Sequence, residues 1–215
     1  DLRIDPENIY FLGHSQGGLT GSLALPFAQH IKGWVLSGAG AGLSITILQR
    51  TDPVSFRDLV ESALATPGVQ LDDMHPVLAL LQMLVDVTDP LNYAAGFYRE
   101  QTGPARSILL TEGLFDQQTP ADASEALATA AGLPIADPFR ERPVLGLELR
   151  DLDPVDTPYA GNAQMPDGTP ITVGVAQFDS DHYAIFSEAR AAQLWANFLR
   201  SMVVLGRPGE LGYDP

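Results

Sequence analysis

Short apolar runs separated by turn residues dominate the first forty positions. Ile9-Tyr10-Phe11-Leu12 is continuous and uncharged, the pattern of a strand buried on both faces of a parallel sheet, and Asp5-Pro6-Glu7-Asn8 ahead of it is turn chemistry. Beyond Gly13-His14-Ser15-Gln16-Gly17 a helical pattern runs to about Ala28, and Gly33-Trp34-Val35-Leu36-Ser37 then repeats the apolar run. Strand, tight turn, helix and strand in that order predict a βαβ unit and hence an α/β protein.

The Gly/Ala stretch from Ser37 to Ser44 reads as a loop leaving the sheet. It has neither GxGxxG spacing nor a P-loop lysine, so no dinucleotide or phosphate site is expected there. Residues 45–103 carry two helical patterns, Val54 to Leu64 and a more apolar one from Val77 to Val87, interrupted by Pro53, Pro67, Pro76 and Pro90; this is the pattern of a helical insertion. Ser107 to Glu112 resumes the buried-strand pattern. A helix is expected from Thr119-Pro120-Ala121-Asp122, with the hydroxyl as cap, to Gly132. Leu145 to Arg150 alternates with period two, predicting a half-wet strand. A Pro/Gly/Asp-rich stretch follows, and the excursion over 140–170 reads as an extra hairpin or loop insertion. Ile171 to Phe178 predicts another strand, and Ser187 to about Val204 spaces Leu194, Trp195, Phe198, Leu199 and Met202 as the apolar stripe of a helix.

Composition narrows the partners. The 215 residues are 45% hydrophobic and 18% charged, enough apolar surface for a real core, and 12 Lys and Arg against 27 Asp and Glu leave a net charge of −15 that repels nucleic acid and anionic membranes. No cysteine is present, which removes disulfides and thiolate chemistry. The longest uncharged apolar run, Pro76 to Val85, is half the roughly 18–20 residues of a transmembrane helix, so none is expected. The amino end, Asp1 to Pro6, has neither the initiator methionine nor the basic and apolar regions of a signal peptide, which points to a start inside a longer product; the compartment is not legible.

Gly13-His14-Ser15-Gln16-Gly17 matches GxSxG. An apolar strand ending at Gly13 and a helix beginning at Gln16 would lift Ser15 to the carboxyl edge of the sheet on a strained turn, with glycines on both sides to avoid collision. A hydroxyl needs a base, and the base needs an acid to orient it. Asp116 follows the 107–112 strand and His182 follows the 171–178 strand, so all three groups fall at the carboxyl ends of predicted parallel strands, in the order serine, acid, histidine. Asp179, Asp181 and Glu112 compete with Asp116, but the acid should arrive on a different strand's loop from the histidine. Asp179 and Asp181 lack the further ligands a calcium site needs, so no metal is expected. His14, on a sharp turn, diverges from Ser15 and suits a packing or hydrogen-bonding role. His30 and His75 read as structural.

With these motifs in place the chain resembles the carboxyl-terminal part of an α/β-hydrolase of the bacterial serine esterase and lipase type. The likeness rests on Gly-His-Ser-Gln-Gly-Gly at 13–18, Asp-Pro-Leu-Asn-Tyr at 89–93, Glu-Gly-Leu-Phe-Asp at 112–116 and Asp-His-Tyr at 181–183. It implies a mostly parallel sheet flanked by helices, with the first strands of the fold missing from this chain. It implies Ser15 as nucleophile, His182 as base, Asp116 as its partner and the Gln16 backbone N–H as one oxyanion donor, the second lying upstream of residue 1. It implies no cofactor. The insertion over 45–103 would be a lid, with Met83 and Leu84 as substrate contacts, although the 77–87 pattern equally suits an ordinary buried helix. The substrate would be a small or lipid-like ester, and an associated amino-terminal chain would carry the missing strands. Amidase, thioesterase and acyltransferase reactions use the same residues, and a non-catalytic binding module is the reading from another class.

Overall fold

The computed structural model describes residues 3, 5–64, 68, 70–100, 104–206 and 208–212; the expectation about the amino end and the Pro67 breaker lie largely or wholly outside them. In chain order the elements are β1 (Ile9–His14), α1 (Gln16–Ala24), β2 (Ile31–Ser37), α2 (Leu43–Gln49), α3 (Phe56–Leu64), α4 (Pro76–Val85), β3 (Ser107–Gly113), α5 (Ala121–Ala131), β4 (Ala136–Asp137), α6 (Leu145–Glu148), β5 (Val155–Asp156), β6 (Ala163–Gln164), β7 (Pro170–Ile171), β8 (Val173–Phe178), α7 (Ala184–Ser187) and α8 (Ala189–Leu205).

The main sheet has the order β1-β2-β3-β8 and every pairing is parallel. Alternation along the strands divides the core between its two faces. Trp34, Leu36, Ile108, Leu110, Val173 and Val175 pack with Leu25, Phe97 and Leu127 on one side. Val35, Leu109 and Phe178 pack with Leu194, Phe198 and Met202 of α8 on the other. Strands buried on both faces have little room for polar side chains, which is why they read as continuous apolar runs. Because all four strands point the same way, the loops leaving their carboxyl ends converge on one edge.

Several expectations are corrected. α1 stops at Ala24, followed by a 3-10 turn over Leu25–Phe27 that contains Pro26, a residue whose ring and missing N–H suit the start of a new turn better than a helix interior. The loop expected through Ser44 ends early, because α2 begins at Leu43. The expected Thr119 cap does not form: Pro120 stands at the cap position of α5 without a side-chain bond, and the Thr119 N–H donates to Asp116 instead. Leu145 to Arg150 is not a strand. It holds the short helix α6, in which Leu147 is buried while Leu145 and Leu149 are 67% and 76% exposed, so the period of two marks no buried face. The strand expected over 171–178 is split: β7 pairs antiparallel with β6, and only β8 joins the main sheet.

The helices α2, α3 and α4 gather round a small core of their own, Ile47, Leu71 and Leu78. His75 caps α4 by accepting from the Val77 N–H. Among the described residues no helix is long and apolar enough to cross a membrane.

Candidate active site

Ser15 sits between β1 and α1 with φ 57° and ψ −122°, a conformation that L residues avoid. The turn closes because its N–H donates to Ser37 O at 2.8 Å, tying the end of β1 to the end of β2. Close approach requires glycine at two points. A Cβ at Gly13 would lie 2.5 Å from Gly17 O, and one at Gly18 would lie 2.8 Å from Ser37 O. At Gly17 no described atom beyond its chain neighbours and its own helix backbone stands within 4 Å of a Cβ position; Gly18 is the crowded one.

Asp116 and His182 meet from different strands. His182 Nδ1 lies 2.6 Å from Asp116 Oδ2, and both side chains are almost fully buried. The other carboxylate oxygen, Oδ1, accepts from the Gln118 N–H at 2.7 Å and the Thr119 N–H at 2.8 Å. Backbone donors thus fix the carboxylate, and the carboxylate fixes the imidazole. An acceptor at Nδ1 places the ring proton there and leaves Nε2 as the basic nitrogen. The competing acids are engaged elsewhere: Asp181 Oδ1 accepts from the Tyr183 N–H in its own turn, and Glu112 Oε1 accepts from Gln177.

The pair is pressed against the serine turn. A Cβ at Gly38, which has φ 51°, would lie 3.1 Å from His182 Cε1 and 3.6 Å from Asp116 Oδ2, so the chain just after Ser37 backs directly onto both. The His14 ring packs at a 45° tilt against His182 with centroids 4.6 Å apart and has Phe186 edge-on at 5.0 Å. His14 Nδ1 lies 3.2 Å from Ser37 Oγ. Burial, followed by the His182 charge, pushes the His14 imidazole below its ordinary pKa, which suits a neutral packing role.

Gln16 opens α1, where its backbone N–H is one of the donors a helix start leaves without an intrahelical partner. It also lines a cavity of about 530 Å³ between α1 and the α2–α4 helices. Val85 of α4 reaches that cavity, whereas Met83 and Leu84 are 70% and 75% exposed and are not among its lining residues. Asp89, the first residue of the 89–93 motif, is buried and accepts from the Gly42, Leu43 and Leu91 N–H groups and from Gln82 Nε2. Burial opposes its charge, but these donors outweigh it and hold the carboxyl below its ordinary value. In the sequence Ser37 reads only as the end of a strand run and Gly38 only as part of a small-residue loop, and the roles of Gln118 and Thr119 are backbone roles that no side-chain pattern announces.

No protein-family model and no curated protein matches the chain. Solved structures do match. Two structures of the acylaminoacyl peptidase of Pyrococcus horikoshii, one an orthorhombic crystal form and one uncomplexed, align over 98% of this chain and 26% of theirs, at 15% and 16% identity and TM-scores of 0.52 and 0.53. An acylaminoacyl peptidase in complex with Z-Gly-Gly-Phe-chloromethyl ketone aligns over 98% of this chain and 25% of its own, at 16% identity and a TM-score of 0.51. The chain therefore spans about a quarter of the length of these peptidases. Parallel sheet, flanking helices and these alignments together give the chain the fold of the α/β-hydrolases.

Proposed function

We propose that this chain carries the catalytic residues of a serine hydrolase that cleaves carboxylic esters without a cofactor. The observation that carries the reading is the buried His182–Asp116 bond of 2.6 Å, held against the Ser15 turn by Gly38 and His14. In this reading His182 Nε2 takes the proton of Ser15 Oγ as that oxygen attacks the acyl carbon. Charge moves onto the carbonyl oxygen, and the Gln16 N–H at the helix start donates to it. The imidazolium, stabilised by Asp116, passes its proton to the leaving alcohol; water then releases the acid by the same steps in reverse order of partners. The strained φ of Ser15 belongs to this role, because it is the geometry that exposes a nucleophile above a sheet edge.

The segment over 45–103, of which 65–67, 69 and 101–103 lie outside the described residues, would cover the acyl site as a lid, with Val85 rather than Met83 or Leu84 facing it. Among the described residues β1 pairs on one side only, with β2, and Leu12 is 36% exposed, which supports an associated segment that covers this edge and brings the second oxyanion donor.

The test is fluorophosphonate labelling of the full-length protein with peptide mapping, alongside Ser15→Ala. An adduct on Ser15 and loss of ester turnover in the variant are expected, with the melting temperature little changed. Retained turnover in Ser15→Ala would overturn the assignment.

A further inference from the structure

The 530 Å³ cavity is of small-molecule size, and it runs along α1 from the residue next to Ser15. Gln16, Leu19 and Leu23 line it at helical spacing, a stripe about 10 Å long at 1.5 Å per residue. Leu43, Phe56 and Val85 form the facing wall. An arm attached to an acyl carbon at Ser15, with its oxygen at the Gln16 N–H, would enter this cavity at its Gln16 end.

Two charged side chains line the cavity, Asp89 and Arg50, and they differ in what remains free. They stand at opposite ends of α2: Asp89 takes the N–H groups at its start, and Arg50 follows its last residue, about 10 Å away for seven residues. Both oxygens of Asp89 are occupied by backbone and amide donors. Arg50 spends only Nε, on Asp52 O at 3.1 Å, and none of the ion pairs among the described residues includes it. Its guanidinium carbon lies 4.6 Å from the centre of the Phe56 ring, so the ring holds the group from one side while its terminal N–H groups remain available to a planar acceptor. The segment is tied to the active-site loop as well: the Thr51 and Asp52 N–H groups both donate to the carbonyl of Gln117, the residue after Asp116.

We propose that the cavity selects esters whose apolar acyl arm ends in a carboxylate, which Arg50 binds. A flat guanidinium matches a carboxylate in a paired, in-plane geometry that a neutral methyl end cannot use. The inference rests on the hydrolase reading above and adds the substrate class to it.

The experiment compares two chain-matched esters on the full-length protein, 4-nitrophenyl hexanoate and the mono-4-nitrophenyl ester of adipic acid, which differ in a terminal methyl against a carboxylate. The quantity read is the ratio of kcat/KM, acid over neutral, in the parent, Arg50→Gln and Arg50→Lys. Both esters are measured on one preparation, so any loss of folded protein cancels. The ratio should fall roughly 10- to 100-fold in Arg50→Gln, the range of a charge-assisted hydrogen bond, and by less in Arg50→Lys, which keeps the charge but loses the fork. An unchanged ratio in Arg50→Gln, with the neutral ester turned over, overturns the carboxylate proposal and leaves the hydrolase reading standing. Absence of turnover with both esters in the parent overturns both.

Discussion

Two carboxyl groups four residues apart at the end of β3 have opposite surroundings. Asp116 lies in the loop beyond the strand, where one oxygen takes two backbone N–H groups and the other takes His182. Glu112 lies within the strand, paired with Gln177 on β8; its Oε1 accepts from Gln177 Nε2 at 2.8 Å, and its Oε2 is buried with no partner among the described residues. Burial, and next the charge of nearby Glu125, pushes Glu112 up to about 8, against the opposing pull of the Gln177 bond. Both side chains are buried, so burial alone does not distinguish an acid that orients a histidine from one that does not. The difference lies in donors: a loop after a strand turns its N–H groups inward, whereas strand N–H groups are consumed by the ladder.

The sharpest way to break this comparison is to remove the charge from each acid. Asp116→Asn keeps the size but offers an amide N–H where His182 needs an acceptor, which favours the wrong tautomer. A fall of about four orders of magnitude in kcat is expected, the size seen when a triad acid is neutralised elsewhere. Steady-state ester kinetics at pH 7 measure it. Glu112→Gln in the same assay should stay near the parent. Equal losses in both variants would show that the two acids act as one unit.

This contrast also shows what was legible in the sequence. Ser15, Asp116 and His182 each follow an apolar run, and a parallel sheet brings the carboxyl ends of such runs to one edge, so that shared edge was legible. The two-sided core was legible for the same reason. Leu145 to Arg150 was misread because its alternation of leucines arises from a helix turn with Leu145 and Leu149 facing solvent. Crowding at Gly18 rather than Gly17 depends on where Ser37 and Ala39 pass, a fact of tertiary approach that the motif does not carry. The apolar pattern over 77–87 does not tell which side of α4 faces a cavity: Met83 and Leu84 are exposed, and Val85 lines it. Glu112 was weighed only as a rival to Asp116, because periodicity does not reveal which partner a buried acid finds.

Gln177 is the hinge of the structural side of the comparison. Its Oε1 accepts from the Glu141 and Arg142 N–H groups at 3.0 and 2.9 Å, and its Nε2 serves Glu112. Gln177→Leu keeps most of the volume but strips all four side-chain bonds, the long one from Nε2 to Glu125 Oε1 at 3.5 Å included, at a fully buried position. A loss of about 2–4 kcal/mol in urea unfolding is expected, from two stranded backbone donors and a carboxyl left without its donor. A loss below about 0.5 kcal/mol, the level of an ordinary surface change, would mean that the network is not closed as described.

The smallest expected effect isolates the proton on Glu112. The folded chain holds that proton up to about pH 8, whereas an unfolded glutamate releases it near 4.5, so between these values the folded state binds more protons. Stability therefore falls as pH rises through that window and levels off above it. Glu125 and Asp122 of α5 reinforce the retention and Arg142 opposes it, so all three face the group that titrates. Glu112→Gln has no proton to lose, and its amide oxygen can still accept from Gln177. Melting temperatures taken at pH 5 and pH 8 should show the variant gaining several degrees on the parent across the interval. A difference that does not change with pH would mean that Glu112 is already ionised in the folded protein, and the contrast with Asp116 would then rest on position in the strand alone.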